Sequence, residues 1–449
     1  VSTHTTENPI AQERPTRVRW VMFALACAVS WLLYLHRYSW GVIKPQFLSE
    51  HPEISPTEVG WLDAAFLAAY ALGQVPGGLA GDWFGPRGVL TIIVLLWSVA
   101  GAGVAWTAGF WRLGAMRAAF GLAQAGAYPV VSKMTRTWFP LSVRTSVQGV
   151  VASLGRIGAA CSSLVIASLL MGVCGLSWQT ALLAIMAPGI VLAIACWLLV
   201  RDNPREHPLV NAAELEVIEE ASEVSGQKSE VREAAASPKA NNVSLGGLQL
   251  NGPSLFSLGM LLVYAFASTF QDQLYVFWIP LFLVEGRGLD ATTMGLFTPL
   301  PLLGGAVGGI LGGFLNDWLI RAWGNRRWAR SAVGFVGKGI AAVLILLSLQ
   351  VDDGRIAMVV LLIARVFGDW SLPTQWGTIT DMGGRASATL FGLVNTVGAV
   401  GGFVAGPCLG YLKQHYGWDG LFYGVVAMCL VASLTWLFID CTRQVVRGQ

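Results

Sequence analysis

The sequence predicts an all-α membrane protein of twelve transmembrane helices in two six-helix, pseudo-symmetric bundles. Three observations predict it: apolar runs long enough to span a bilayer, one long hydrophilic stretch at mid-chain, and a glycine–aspartate motif that recurs at matching places in the two halves.

Of 449 residues, 54% are apolar and 12% charged. Soluble domains carry about 25% charged residues, so lipid is the solvent this composition suits. The net charge of +3 and the lack of a basic tract argue against nucleic acid as a partner. The seven cysteines are scattered, mostly within apolar runs, without the close pairing of a metal or redox site; they read as small buried hydrophobes.

A helix needs about 20 apolar residues to cross the hydrocarbon, where its backbone must bond internally. Runs of that kind lie near 19–43, 58–81, 87–108, 110–134, 143–173 and 177–200, then near 254–284, 292–320, 331–350, 355–380, 386–412 and 418–440. The polar stretch before the first run, the length of that run and the lack of a cleavage site make it a first span and not a signal peptide. The expected organisation is an N-terminal tail (1–18), an N-terminal bundle (19–200), a linker (201–252), a C-terminal bundle (253–440) and a C-terminal tail (441–449). With the N-terminus inside, roughly 19 Lys or Arg fall on the cytoplasmic side against about 5 outside, which places both termini in the cytoplasm and the chain in the inner membrane. In the linker, Leu215, Val217 and Ile218 give helical spacing over Asn211 to Ala221; the rest reads as a tether.

After the second span stand Gly78, Asp82 and Arg87; after the eighth stand Gly313, Asp317 and Arg321. In each, glycine precedes aspartate by four residues and arginines follow, at the cytoplasmic end of an even-numbered span. Glycine lets helices approach, aspartate can accept from a neighbouring helix N-terminus, and arginine can close a charge network. Such a network holds one conformation and breaks in the other, which makes these six residues a candidate conformational gate.

This motif resembles the loop signature of the major facilitator superfamily, and the likeness extends over nearly the whole chain. Within it, Tyr34-Leu35-His36-Arg37, the run from Tyr70 to Gly78, Arg117 to Gln124, Arg201 to Pro208 and Trp278 to Leu289 are similar to the anion:cation symporter family, which includes sugar-acid transporters. The resemblance implies a monomeric transporter of small organic anions that needs no cofactor.

Charge at mid-membrane is costly and marks candidate sites. Arg37, Arg117, Arg156 and Arg365 lie within spans, three of them in the N-terminal half, and Arg365 reads as the C-terminal half's sole embedded cation. A guanidinium matches carboxylate or phosphate with two parallel bonds, so an organic anion is the expected substrate. Arg37 matches the family's substrate-binding arginine. Arg117 matches an arginine that pairs with an acid, leaving gating and contact both open. Arg156 is a substrate ligand or, between Gly155 and Gly158, a helix contact; Arg365 can neutralise Asp369 one turn on.

Here the sequence departs from the family. Sugar-acid members carry aspartate where His36 stands and glutamate where Gln124 stands, so the usual proton site is missing. Asp272, His36 and Asp63 are the candidates to couple a proton or sodium ion. Asp272 could equally form a permanent bridge to an N-half arginine, His36 could be a neutral hydrogen-bonded ring, and Asp63, near a span end, could be solvated. Tyr34, Tyr70, Gln124, Tyr275, Gln375, Trp376 and Asn395 sit where the hydroxyls of a polyol acid could be bound. Most of the 19 tryptophans lie near span ends, as interfacial anchors.

There is no phosphate loop, metal-ligand cluster or nucleophile–base pair, so nothing points to an enzyme. The reading is secondary active transport of a small organic anion, most simply a hexonate or hexuronate, by cation-coupled symport. An organophosphate:phosphate-type exchanger and a non-transporting sensor of an organic anion are the alternatives.

Overall fold

The structure, a computed structural model, describes residues 14–54, 56–107, 109–223, 252–288 and 300–445. Twelve helical columns result. The first six are Val18–Glu50, Pro56–Phe84, Pro86–Gly103 with a 3-10 turn Val104–Trp106, Phe110–Ala125 continued by Ala127–Trp138, Leu141–Ser163 continued with π geometry over Leu164–Val173, and Trp178–Leu199. The second six begin with Gly252–Gln273, prolonged by shorter helical turns to Gly286. Leu300–Trp323, Arg326–Leu349, and Gly354–Gly368 with Ser371–Gly383 follow. The last two share Ser387–Phe438, where Gly417 at φ 67° breaks the helical path and turns the chain back. The first eight residues expected in the eighth span, 292–299, lie outside the described residues, as does the linker beyond Glu223.

Among the described residues, eight segments are long and apolar enough to cross a membrane by length and composition, the last of them holding three columns; the second and fourth columns are not among the eight. The apolar faces are inverted relative to a soluble protein. Ile92, Leu96 and Val99 on the third column and Val191, Ile194 and Leu198 on the sixth point outward, where only lipid can cover them. Cys174 and Cys408 are exposed in the same way, which corrects their reading as buried hydrophobes; Cys196, Cys429 and Cys441 are buried.

Helix starts follow local chemistry. Ser177, Asn325 and Asp353 accept from backbone N–H groups two or three residues on, and Pro86 follows the tight turn at Gly85, whose φ is 81°. The first column is capped from a distance. Glu214, fully buried on the linker helix Ala212–Glu223, accepts from the backbone N–H groups of Arg17 (2.9 Å) and Arg19 (3.2 Å), and Asn211 Nδ2 donates to the Arg14 carbonyl at 2.9 Å. The linker's first part is therefore a docked helix.

Losing that cap should cost on the order of 1 kcal/mol. Glu214→Ala is expected to melt about 1 °C below the parent in detergent, and an unchanged melting curve would show that the docked helix does not brace the first span.

Candidate functional site

The two halves meet along two seams, the second column against the eleventh and the fifth against the eighth. At the end bearing the glycine–aspartate motifs the seams are built alike. Asp82 accepts from the backbone N–H of Thr389 (2.8 Å) and of Ala388 (3.4 Å) and from the Thr389 hydroxyl (2.7 Å). Asp317 accepts from the backbone N–H and the hydroxyl of Ser146, both at 2.7 Å. Asp82 thus caps the first turn of a helix in the opposite half, where the macrodipole favours negative charge, and Asp317 bonds the second turn of one. The motif glycines make room for this. A methyl group on Gly78 would lie 2.4 Å from the Ala388 carbonyl oxygen, and one on Gly313 would lie 2.8 Å from that of Thr145.

The arginines of the motif act elsewhere than on these aspartates. Lys133 pairs with Asp82 at 3.4 Å, whereas Arg87 donates from its backbone to Asp202 (2.8 Å) and from its side chain to the Trp197 carbonyl (2.9 Å). Arg321 reaches across to the Ser142 carbonyl at 2.9 Å. A further cross-half cluster had no signal in the motif spacing. Asp381, at the end of the tenth column, meets Arg330 (2.7 Å) and Arg326 (3.4 Å) of its own half and Arg144 (3.5 Å) of the other.

Between motif end and mid-depth the seams continue through Ser153 Oγ to the Ala306 carbonyl (2.8 Å), Asn395 Nδ2 to Gln74 Oε1 (3.4 Å) and Thr396 Oγ1 to the Ala71 carbonyl (3.3 Å). They end in an alternating ionic chain. Arg156 bonds Asp369 and the Gly305 carbonyl (2.5 Å), Asp369 accepts from Arg365 Nε (2.9 Å), and Arg365 bonds Asp272. Arg365 therefore has both of the aspartates within its reach, and Asp272 pairs within its own half instead of with an N-half arginine. The expectation that the C-terminal half holds one embedded cation is corrected by Lys338. It is 1% exposed in the ninth column and donates to Ser268 Oγ and Gln271 Oε1, each at 2.9 Å. Its place inside an apolar run carried the same signal as the arginines.

Arg37 stands apart from this chain. Its Nε donates to Gln124 Oε1 at 3.1 Å, and its guanidinium lies 4.3 Å from the Tyr70 ring centre, 5.0 Å from Tyr34 and 5.6 Å from Phe66. Gln124 is held by its other end, donating to the Leu33 carbonyl at 3.1 Å. Arg37 Nη2 is buried without a hydrogen-bond partner, and no carboxylate pairs with the side chain among the described residues. Tyr38, one turn beyond Tyr34 and stacked on it, joins the wall and was missed in the sequence, where a tyrosine next to an arginine carries no distinctive pattern.

The remaining expected site residues divide. Tyr275 lies under Arg365 at 4.9 Å with its hydroxyl buried and unpartnered. Trp376 packs edge-on against Tyr128 and Phe391, and Gln375 is half-buried beside it. Arg117 pairs with Asp63 at 3.5 Å behind the Phe66 ring, and Asp63 also accepts from Lys44 (2.7 Å) and Trp40 (2.9 Å). Asp63 is thus a shared counter-ion and not a merely solvated acid. His36, beside Arg37 in sequence, points the other way, with Nε2 2.6 Å from the Ile185 carbonyl of the sixth column. Neighbours on a helix diverge by about 100°, so the arginine turns to Gln124 and Tyr70 and the histidine to the sixth column.

A chain of twelve helices in two alike halves that meet along two seams, with charged side chains embedded where they meet, defines a secondary transporter fold. The model of the Major Facilitator Superfamily matches residues 26–406, and the chain belongs to that superfamily of membrane transporters. A probable sulfoacetate transporter of Cupriavidus necator is 28% identical over 428 residues, covering 94% of each chain. A probable galactarate/D-glucarate transporter of Bacillus subtilis is 26% identical over 439 residues, covering 95% of this chain and 92% of its own. The solved proton:xylose symporter XylE, bound to 6-bromo-6-deoxy-D-glucose, shares the fold with a TM-score of 0.69 at 13% identity over 94% of this chain and 96% of its own.

If the two aspartates hold the motif end shut, Asp82→Asn and Asp317→Asn should each open it. Spin labels at Thr137 and Arg385 are expected to show a longer, broader distance distribution in either variant, and an unchanged distribution would assign the closure to other contacts.

Proposed function

We propose that the chain carries a small organic anion of sugar-acid size across the inner membrane by alternating access, as a monomer with both termini cytoplasmic. The motif end then faces the cytoplasm. The cross-half bonds described above all lie between that end and the Arg156–Asp369 level, which fits an outward-facing state. The observation that carries the proposal is Arg37, a half-buried guanidinium among aromatic rings whose buried Nη2 is unfilled and which has no carboxylate partner among the described residues. A guanidinium left so in a membrane protein is costly unless a ligand anion completes it. Tyr34, Tyr70 and Gln124 surround the same spot and supply bonds for hydroxyls. The sulfoacetate and galactarate/D-glucarate transporters among the relatives are named for organic anions, in keeping with this chemistry.

In the proposed cycle, substrate enters from outside and closes the halves over Arg37. The two aspartates then release at the cytoplasmic end. Cation-coupled symport would use Asp272, whose hold on Arg365 is the bond a proton or sodium ion would replace. A specific observation favours exchange as the second reading: the embedded acids Asp63, Asp272 and Asp369 each sit in an ion pair, and Gln124 cannot titrate.

Uptake of labelled sugar acids into proteoliposomes, with and without imposed proton and sodium gradients, tests the proposal. Accumulation driven by either ion is the symport result, and movement only against a preloaded anion is the exchange result. Arg37→Ala should lower uptake about 100-fold or more while leaving the purified protein folded, since it removes one partner of a buried charged pair. Undiminished uptake would remove Arg37 from the site.

A further inference from the structure

The charges around the cavity do not balance, and the imbalance narrows the substrate class; the argument rests on Arg37 being the substrate's anchor. The chain Arg156–Asp369–Arg365–Asp272 holds two cations and two anions and is neutral within itself. Lys338 stands behind its far end, interacting electrostatically with Asp272 but hydrogen-bonded only to the neutral Ser268 and Gln271. Arg37 stands at the other side, bonded to neutral partners, Gln124 and Tyr70. Two positive charges, Arg37 and Lys338, therefore have no acid bonded to them, in addition to the one surplus cation of the Asp63 group. No nearby group supplies the missing negative charge. His36 is turned into the bundle, and Asp63 is already outnumbered by Arg117 and Lys44.

Each unbalanced charge at this depth costs at least about 2.5 kcal/mol. A monoanion would cancel one of the two and leave the other, whereas a dianion would cancel both. A place for the second anionic group is also present. Arg156 spends only Nη1 on Asp369 and the Gly305 carbonyl; its other nitrogens make no hydrogen bond among the described residues, and the side chain is 12% exposed. Tyr34 and Tyr38 both interact electrostatically with Arg37 and with Arg156, which sets the two phenols near both guanidinium groups.

We propose that the substrate is a short organic dianion, a dicarboxylate or a sulfo-carboxylate, with one anionic group on Arg37 and the other on the open edge of Arg156. Arg156 is then a specificity-determining residue. Because its Nη1 also holds Asp369 of the opposite half, the second anionic group competes with a cross-half ion pair, which ties substrate binding to the loosening of the halves.

The test compares ligands that differ by one carboxylate replaced with a hydroxymethyl group: a hexarate against the matching hexonate, and sulfoacetate against 2-hydroxyethanesulfonate. Binding to the full chain in nanodiscs is measured by calorimetry. At least one dianion is expected to bind about tenfold or more tighter than its monoanion partner. Arg156→Gln should erase most of that preference, because it removes the charge that meets the second anionic group. Lys338→Gln, which removes a surplus charge without touching the cavity wall, should narrow the preference as well. Monoanions binding as tightly as dianions in both pairs, with loss in Arg37→Ala, would overturn the dianion and leave organic-anion transport standing. Dianion binding that survives Arg37→Ala would overturn the anchor itself, and with it this inference.

Discussion

Asp82 and Asp317 do the same job in opposite directions. Each sits toward the end of a helix in one half and receives a backbone N–H and a hydroxyl near the start of a helix in the other. The Thr389 N–H, in the first turn of its helix, has no partner within that helix, so Asp82 satisfies a need the helix cannot meet alone. The rest of the architecture depends on this reciprocity. It fixes the halves to one another at one end, so the cavity and its charges sit at a defined place between them. Glycine at 78 and 313 is what brings the backbones close enough for these bonds to form.

Away from that end, the governing constraint is the cost of charge in a low-dielectric interior. The embedded ions are arranged almost as a neutralisation scheme. Arg117 and Lys44 share Asp63, Arg156 and Arg365 share Asp369, and Arg365 also holds Asp272, with Lys338 behind it on neutral partners. Arg37 is the other exception, a guanidinium with rings and an amide around it and no acid pairing among the described residues. An exception of this kind is expected at a functional site, where the missing partner is the ligand.

The linker illustrates a different principle. Its opening helix is short and would be marginal alone, yet Glu214 is fully buried because it caps the first span. A segment that reads as a tether therefore begins as a structural element, tied to the N-terminal tail through Asn211 and Arg14.

Much of the fold was legible in the sequence, because hydrocarbon imposes a length and a composition on every span. The apolar runs, the break at mid-chain and the repeated motif were enough to predict two six-helix halves. Arg37, Tyr34, Tyr70 and Gln124 were also legible as a group, through their resemblance to a family of anion transporters, and the structure gathers them. What the sequence could not decide was pairing. Whether Asp272 faced an N-half arginine or Arg365, whether Asp63 was solvated, and which way His36 turned all depended on the rotation of one helix against another. Arg87 and Asp82 stand five residues apart yet bond to different partners, while Asp381 and Arg144 meet across 237 residues of chain. Solvation sets the spans one residue at a time, and so it can be read locally. Ion pairs are set by distances between helices, and only the tertiary structure decides those.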